Sequence, residues 1–215
     1  AAGSTRLRCE PPCADARTFA NIVGFNKPAL ISAEYAALNA RLHQENLAYG
    51  VGGGKHAEVV LKLVESMKTK SVLDYGSGKG YLAKALPFPI WEYDPAIVGK
   101  TESPRPADLV VCTDVLEHIE PDKLKYVLAD LARVTRMLGY FVIHMGPAQK
   151  TLPDGRNTHL LQKGADWWAE QLSRFFEVAR VMPKGIELHV VVAPRQNFTS
   201  ALRAAALIQR EETTV

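Results

Sequence analysis

Cysteine is scarce in this chain: Cys9, Cys13 and Cys112 are the only three among 215 residues. No second cysteine pair and no neighbouring histidine pair completes a zinc set around Cys9 and Cys13, so a structural metal is not expected. Cys112 sits inside an apolar run and reads as a small buried side chain. No stretch approaches the roughly eighteen apolar residues of a membrane span, and the start lacks an apolar signal core. Both absences point to a cytoplasmic protein without a membrane partner. An excess of one charge is also missing, since a net +3 permits nucleic acid without indicating it. No internal repeat is evident.

What the chain does have is the 47% hydrophobic and 23% charged content of one soluble globular domain. Residues 1–30, rich in Pro, Ala and Arg, read as an irregular arm. Residues 31–195 form the domain, and the alanine-rich residues 196–215 form a helical tail that packs on the body or on a second copy of the chain. Ser32 is a candidate N-cap for an amphipathic helix reaching about Leu47, and the glycines at 50 and 52 to 54 break it. A second helix is expected from Lys55 to about Met67. Strands are expected at Ser71 to Asp74, Ile90 to Tyr93, Asp108 to Cys112 and Tyr140 to Met145. A helix spans Pro121 to Met137, with Gly139 ending it. A last helix near Ala165 to Arg174 precedes strands at Glu177 to Met182 and Glu187 to Ala193, whose short link predicts an antiparallel hairpin.

The segment Val72-Leu-Asp74-Tyr75-Gly76-Ser77-Gly78-Lys79-Gly80-Tyr81 carries the densest information. An apolar strand ends in a carboxylate, then three alternating glycines let the backbone turn sharply and approach a ligand, and a helix follows whose first N–H groups are expected to be unpaired. The spacing is one residue short of the dinucleotide fingerprint. A carboxylate at Asp74 would repel a pyrophosphate and favours a ligand bearing positive charge.

These residues resemble the first motif of class I S-adenosylmethionine-dependent methyltransferases. Trp91-Glu-Tyr-Asp94-Pro95 looks like the end of that family's second strand, and Ala107 to Ile119 looks like its fourth strand and the loop after it. The stretch from Val72 to about His159 is similar, more narrowly, to small bacterial and phage methyltransferase-domain proteins without an assigned acceptor. The resemblance implies an α/β, Rossmann-like sheet with a terminal antiparallel hairpin and an N-terminal helical cap. It also implies S-adenosyl-L-methionine as cofactor, held by Asp74, Tyr75, Gly76, Ser77, Gly78, Gly80, Tyr81, Asp94, Pro95, Asp114, Val115 and Leu116, with Asp94 on the ribose. The chain departs from the family between Pro95 and Pro106, where three prolines and a glycine leave no room for a helix and a strand, so the third strand is expected to be short or missing.

Methyl transfer requires positioning of the acceptor and, where the acceptor carries a proton, a base. Asp114, His118, His144 and His159 are the catalytic candidates, and Lys150, Asp154, Arg156 and Asn157 in the polar loop after the strand expected at Tyr140 to Met145 are candidates for holding the acceptor. Glu117, His118, His144 and His159 could together form a metal site resembling that of metal-dependent RNA ribose methyltransferases. Their spacing does not match that family's paired histidines, and no metal is expected. The Pro-Pro-aromatic loop of amino-methylating DNA enzymes is replaced by Asp114-Val-Leu-Glu117, and no Pro-Cys nucleophile is present. The expected activity is therefore methyl transfer to an oxygen or nitrogen of an unidentified acceptor, with a small molecule, sugar or nucleoside favoured over a DNA base. The alternative is a non-catalytic, donor-binding module of a larger assembly.

Overall fold

The computed structural model describes residues 28–195; the expected arm, apart from residues 28–30, and the expected helical tail lie outside the described residues. Helix α1 (Ala33–Glu45) begins at Ser32, whose hydroxyl accepts the Tyr35 N–H, and buries Tyr35, Asn39 and Leu42 at helical spacing. Chain 46–51 leads into a 3-10 turn (Gly52–His56) that continues into α2 (Ala57–Met67), whose Val60, Leu63 and Val64 are buried. Then come β1 (Val72–Tyr75), α3 (Tyr81–Ala85), β2 (Trp91–Tyr93), β3 (Ala107–Thr113), α4 (Leu124–Val134), β4 (Thr135–His144), α5 (Ala165–Ser173), β5 (Glu177–Lys184) and β6 (Glu187–Ala193).

The six strands form one sheet in the order β2-β1-β3-β4-β6-β5. β2, β1, β3 and β4 run parallel, while β6 is antiparallel to both β4 and β5. A parallel sheet covered on both faces needs apolar side chains at every position rather than at alternate ones. The sequence supplies them: Val110, Cys112, Phe141 and Ile143 face α4 and α5 with Leu128, Leu131, Trp168 and Phe176, while Leu109, Val111, Tyr140 and Val142 face α2 with Val60 and Leu63. Between β2 and β3 the chain forms no strand, so the three-residue β2 is the sheet edge, as the proline content of that connection predicts.

Several boundaries differ from expectation. α1 ends at Glu45 rather than Leu47. More substantially, α4 starts at Leu124 and stops at Val134, and the residues assigned to its last turn are the start of β4. Thr135 turns extended while its hydroxyl donates to the Leu131 carbonyl, and Thr135 pairs with Ala107 across the parallel ladder. Ladder pairing and burial of Leu138 outweigh the helical propensity of Arg136 and Met137. Gly139 is thus a mid-strand residue, not a helix stop: a Cβ there would lie 2.6 Å from Val192 Cγ2 and 2.8 Å from the Phe141 ring.

Gly139→Val is therefore expected to destabilise the fold by about 1–3 kcal/mol through overpacking, although valine is the better strand former. Urea unfolding checks this; an unchanged midpoint would show that the sheet has room to spare.

Candidate active site at the carboxyl edge of the sheet

The chain leaves β1 through a turn that only glycine can form. Gly76 has φ +82°, and a Cβ on it would lie 2.3 Å from Val115 Cγ2; Gly78 has φ +49°, and a Cβ would lie 2.9 Å from the Gly50 carbonyl. The backbone N–H groups of this turn are already engaged. Those of Gly76 and Ser77 donate to the Tyr93 carbonyl, Lys79 to Gly50 and Gly80 to Ser77. Gly78 N–H donates to Asp94 Oδ2 at 2.9 Å. The helix that follows, α3, has only five residues and its N-cap Gly80 makes no side-chain cap bond, while the turn before it presents no row of free donors to a phosphate. It serves as a close-approach surface.

Asp94 closes one side. It follows β2, is buried, and accepts N–H bonds from Gly78 on Oδ2 and from Ala96 on Oδ1, so each oxygen keeps lone-pair capacity toward the cavity. Opposite, residues 46–51 cross the glycine turn as a strap. Lys79 Nζ donates to the carbonyls of Asn46 (2.6 Å) and Leu47 (3.2 Å), and Lys150 Nζ to Ala48 (2.8 Å). Tyr49 hydrogen-bonds Asn39 from α1 and packs its ring 4.6 Å from that of His43.

The far wall comes from the ends of β3 and β4. Asp114 adopts φ +55°, a conformation strained for a residue with a side chain, and lies 3.5 Å from Lys55 Nζ. The loop from Gly146 to Leu160 folds back onto it. Asn157 bridges the loop internally, accepting the N–H groups of Ala148 and His159 and donating to the Ala148 carbonyl. Leu161 N–H donates to the Glu117 carbonyl. As a result His118, His144 and His159 stack edge to face, with centroids 4.7 Å (His118 to His159) and 4.5 Å (His144 to His159) apart.

Their tautomers follow from their partners. Nδ1 of His118 lies 2.8 Å from the Thr158 carbonyl, and Nδ1 of His144 and His159 lie 3.1 and 2.7 Å from the Gly146 carbonyl. A carbonyl only accepts, so each Nδ1 carries the proton and each Nε2 keeps a lone pair. Burial, then the neighbouring His159, pulls the His118 pKa down to about 3, and burial also lowers that of His159.

These walls enclose a cavity of about 730 Å³. Of the residues singled out from the sequence, Gly76, Gly78, Asp94, Pro95, Asp114, Val115, His118, His144, His159 and Lys150 line it. Asp74, Tyr75, Ser77, Gly80, Tyr81 and Leu116 do not. Asp74 is buried in β1, Tyr75 donates to Asp130 inside the core, and Leu116 is core. Tyr81 is exposed under Lys84, and a Cβ on Gly80 would meet Glu92 rather than the cavity. Asp154 and Arg156 pair with each other on the surface, and Asn157 shapes the loop from behind. The sequence reading missed Tyr35, Asn39, His43, Tyr49, Gly50, Lys55 and Glu187, all of which line the cavity. Four glycines between positions 50 and 54 carried a signal, since such density accompanies close backbone approach as well as helix breaking.

The parallel sheet with a terminal antiparallel pair and a ligand-sized cavity at the carboxyl ends of its strands, beside a glycine turn and an acidic residue after β2, define a class I methyltransferase fold. Residues 43–184, well over half of the chain, match the family model described as methyltransferase domain, and the chain belongs to that family. Solved structures agree. A 1,6-didemethyltoxoflavin N1-methyltransferase from Burkholderia thailandensis is similar at TM-score 0.53 and 16% identity, over 79% of this chain and 93% of that one. An S-adenosylmethionine-dependent methyltransferase from Clostridium acetobutylicum is similar at TM-score 0.51 and 14% identity, over 73% and 97%. An O-methyltransferase family protein from Burkholderia thailandensis is similar at TM-score 0.53 and 16% identity, over 78% and 64%. No curated protein matches the chain in sequence. The protein is thus an S-adenosylmethionine-dependent methyltransferase, and the cradle that added Cβ atoms would fill, bordered by the Asp94 carboxylate, fits that donor. No helix among the described residues is long and apolar enough to cross a membrane.

Asp74 gives this architecture a pH dependence. Burial, and then the Glu92 charge, raises its pKa to about 7. The folded protein therefore keeps a proton that the unfolded chain releases near pH 4, so this group's contribution to stability falls as pH rises from about 4 to about 7. Asp74→Asn is expected to remove that part of the decline, gaining stability over the natural chain at pH 8 relative to pH 5. Urea unfolding at both values checks it; parallel pH profiles would contradict it.

Proposed function

We propose that this enzyme methylates an oxygen or nitrogen of a small molecule, sugar or nucleoside rather than a base within DNA. The observation that carries this reading is the continuity of one cavity from Asp94 and the glycine turn to the histidine cluster. When bound, S-adenosylmethionine supplies an electrophilic methyl group. The chain's own residues then have separable tasks. Asp94 accepts hydrogen bonds from the ribose hydroxyls, Gly76 and Gly78 admit the donor against the backbone, and the strap with Tyr49 keeps water from the reacting atoms. At the other end, His118 and His159 remain neutral at working pH because their pKa values are lowered. The Nε2 lone pair of His144, whose Nδ1 faces the Gly146 carbonyl, can receive the proton that an acceptor hydroxyl or amine gives up. Lys150, Asp114 and Glu187 surround the same end and orient polar groups of the acceptor.

Two observations support a small acceptor. α1 and the strap contribute Tyr35, Asn39, His43, Tyr49 and Gly50 to the cavity wall, and a cavity of about 730 Å³ matches a small molecule in size. The similar Burkholderia enzyme holds 1,6-didemethyltoxoflavin beside S-adenosylhomocysteine.

Asp94→Asn keeps the shape of the side chain and removes its charge and one acceptor atom. It is expected to weaken S-adenosylmethionine binding by roughly tenfold or more, the worth of a charge-assisted pair of hydrogen bonds, as read by calorimetry. Unchanged affinity would refute the ribose assignment. S-adenosylhomocysteine formation from fractionated metabolite and nucleoside pools tests turnover; release from duplex DNA alone would overturn the acceptor class.

A further inference from the structure

Glu117, His118 and His159 each offer a ligand atom, and the three atoms lie within 4.8 Å of one another. We propose that they bind one divalent transition-metal ion at the acceptor end of the cavity. Sequence spacing argued against a metal because it does not match the paired histidines of metal-dependent RNA ribose methyltransferases, and His118 and His159 lie far apart in the chain. The fold removes that objection: the 3-10 turn Leu116–His118 sets Glu117 beside His118, and the bond from Leu161 N–H to the Glu117 carbonyl brings the returning loop onto them.

Three independent features point to a cation. Glu117 is fully buried, and its Oε2 has no hydrogen-bond partner among the described residues, while Oε1 takes only the His144 backbone N–H at 3.0 Å. A buried carboxyl oxygen left without a partner is costly, and an ion beside it would remove that cost. Second, both imidazoles have Nδ1 committed to a backbone carbonyl, which leaves Nε2 as the ligating atom and is the outer-shell arrangement that fixes metal-bound histidines. Third, His118 and His159 line the cavity whereas Glu117 lies behind them, so the ion would be held from one side and open on the other.

The donor set decides the kind of ion. Two nitrogens and one carboxylate oxygen suit Zn²⁺, Mn²⁺, Fe²⁺ or Co²⁺, whereas Mg²⁺ and Ca²⁺ prefer all-oxygen surroundings. Coordination at about 2.1 Å would draw the three atoms closer than they stand, a movement that rotation of the side chains can supply. Three protein ligands with open positions are the pattern of catalytic rather than structural sites. The open side faces His144 and Asp114, so the ligand completing the shell would be water or an acceptor oxygen, whose proton the ion would loosen. Ion binding stands independently of the methyl-transfer reading; only the role toward the acceptor rests on it.

The test uses the full chain after chelator treatment, titrated with Co²⁺ and Zn²⁺ by calorimetry and followed by the visible absorption of Co²⁺. One ion per chain is expected, with the spectrum of nitrogen and oxygen ligands. Glu117→Gln and His159→Asn are each expected to weaken binding by at least roughly tenfold while circular dichroism stays native, and His189→Gln, outside the cluster, to leave it unchanged. No binding at ion concentrations up to roughly 100 µM would overturn the proposal. So would full binding in both cluster variants, or a thiolate spectrum, which would move the ion to the cysteines. S-adenosylhomocysteine affinity, measured on the same metal-free sample, separates the readings: its loss would count against the donor pocket and not against the ion site.

Discussion

The close passage of two backbones organises this site. The strap at Gly50 lies against the turn at Gly78, with the Lys79 N–H donating to the Gly50 carbonyl at 3.1 Å and no space for a Cβ between them. Without that contact the strap has no fixed height above the sheet, and the cavity has no roof. Lys79 and Lys150 reinforce it from both ends by donating to carbonyls of residues 46–48. The lysines therefore act through hydrogen bonds to backbone carbonyls that are accessible because the chain there forms neither helix nor strand, the Asn46 carbonyl also taking the Tyr49 N–H.

The missing third strand is consistent with the same design. With β2 as a three-residue edge, the connection after Asp94 must hold itself, and Lys100 does much of this by bonding Glu92, Ser77 and the Gly78 carbonyl. Its ammonium thus ties the sheet edge to the glycine turn from behind, while Asp94 binds that turn from the front. The end of the cavity at Asp94 is braced because both sides of one turn are held. The end at the histidines is built differently, from a returning loop, and is where chains of this fold can diverge without disturbing the sheet.

What was legible in the sequence follows from how local each feature is. The glycine turn, Asp94 and the hairpin β5–β6 are encoded within a few residues, by positive-φ positions and by apolar runs bounded by turn formers. The start of β4 was misread because Arg136-Met-Leu favours helix locally, and only pairing with β3 reveals a strand. The histidine cluster was legible as separate candidates and as one metal set that the spacing argued against, since its assembly depends on Asn157 and Leu161 bonds that no spacing rule encodes. His43 of α1 and Tyr49 of the strap carried no local signal; their role exists only once α1 lies over the turn.

A crystal structure of the protein with S-adenosylhomocysteine tests the central claim most directly. The account predicts the ribose hydroxyls on the Asp94 carboxylate, the homocysteine portion under the strap at Tyr49 and Gly50, and the sulfur directed toward His118, His144 and His159. A product molecule bound elsewhere, or one that enters only with the strap displaced from Gly78, would contradict it.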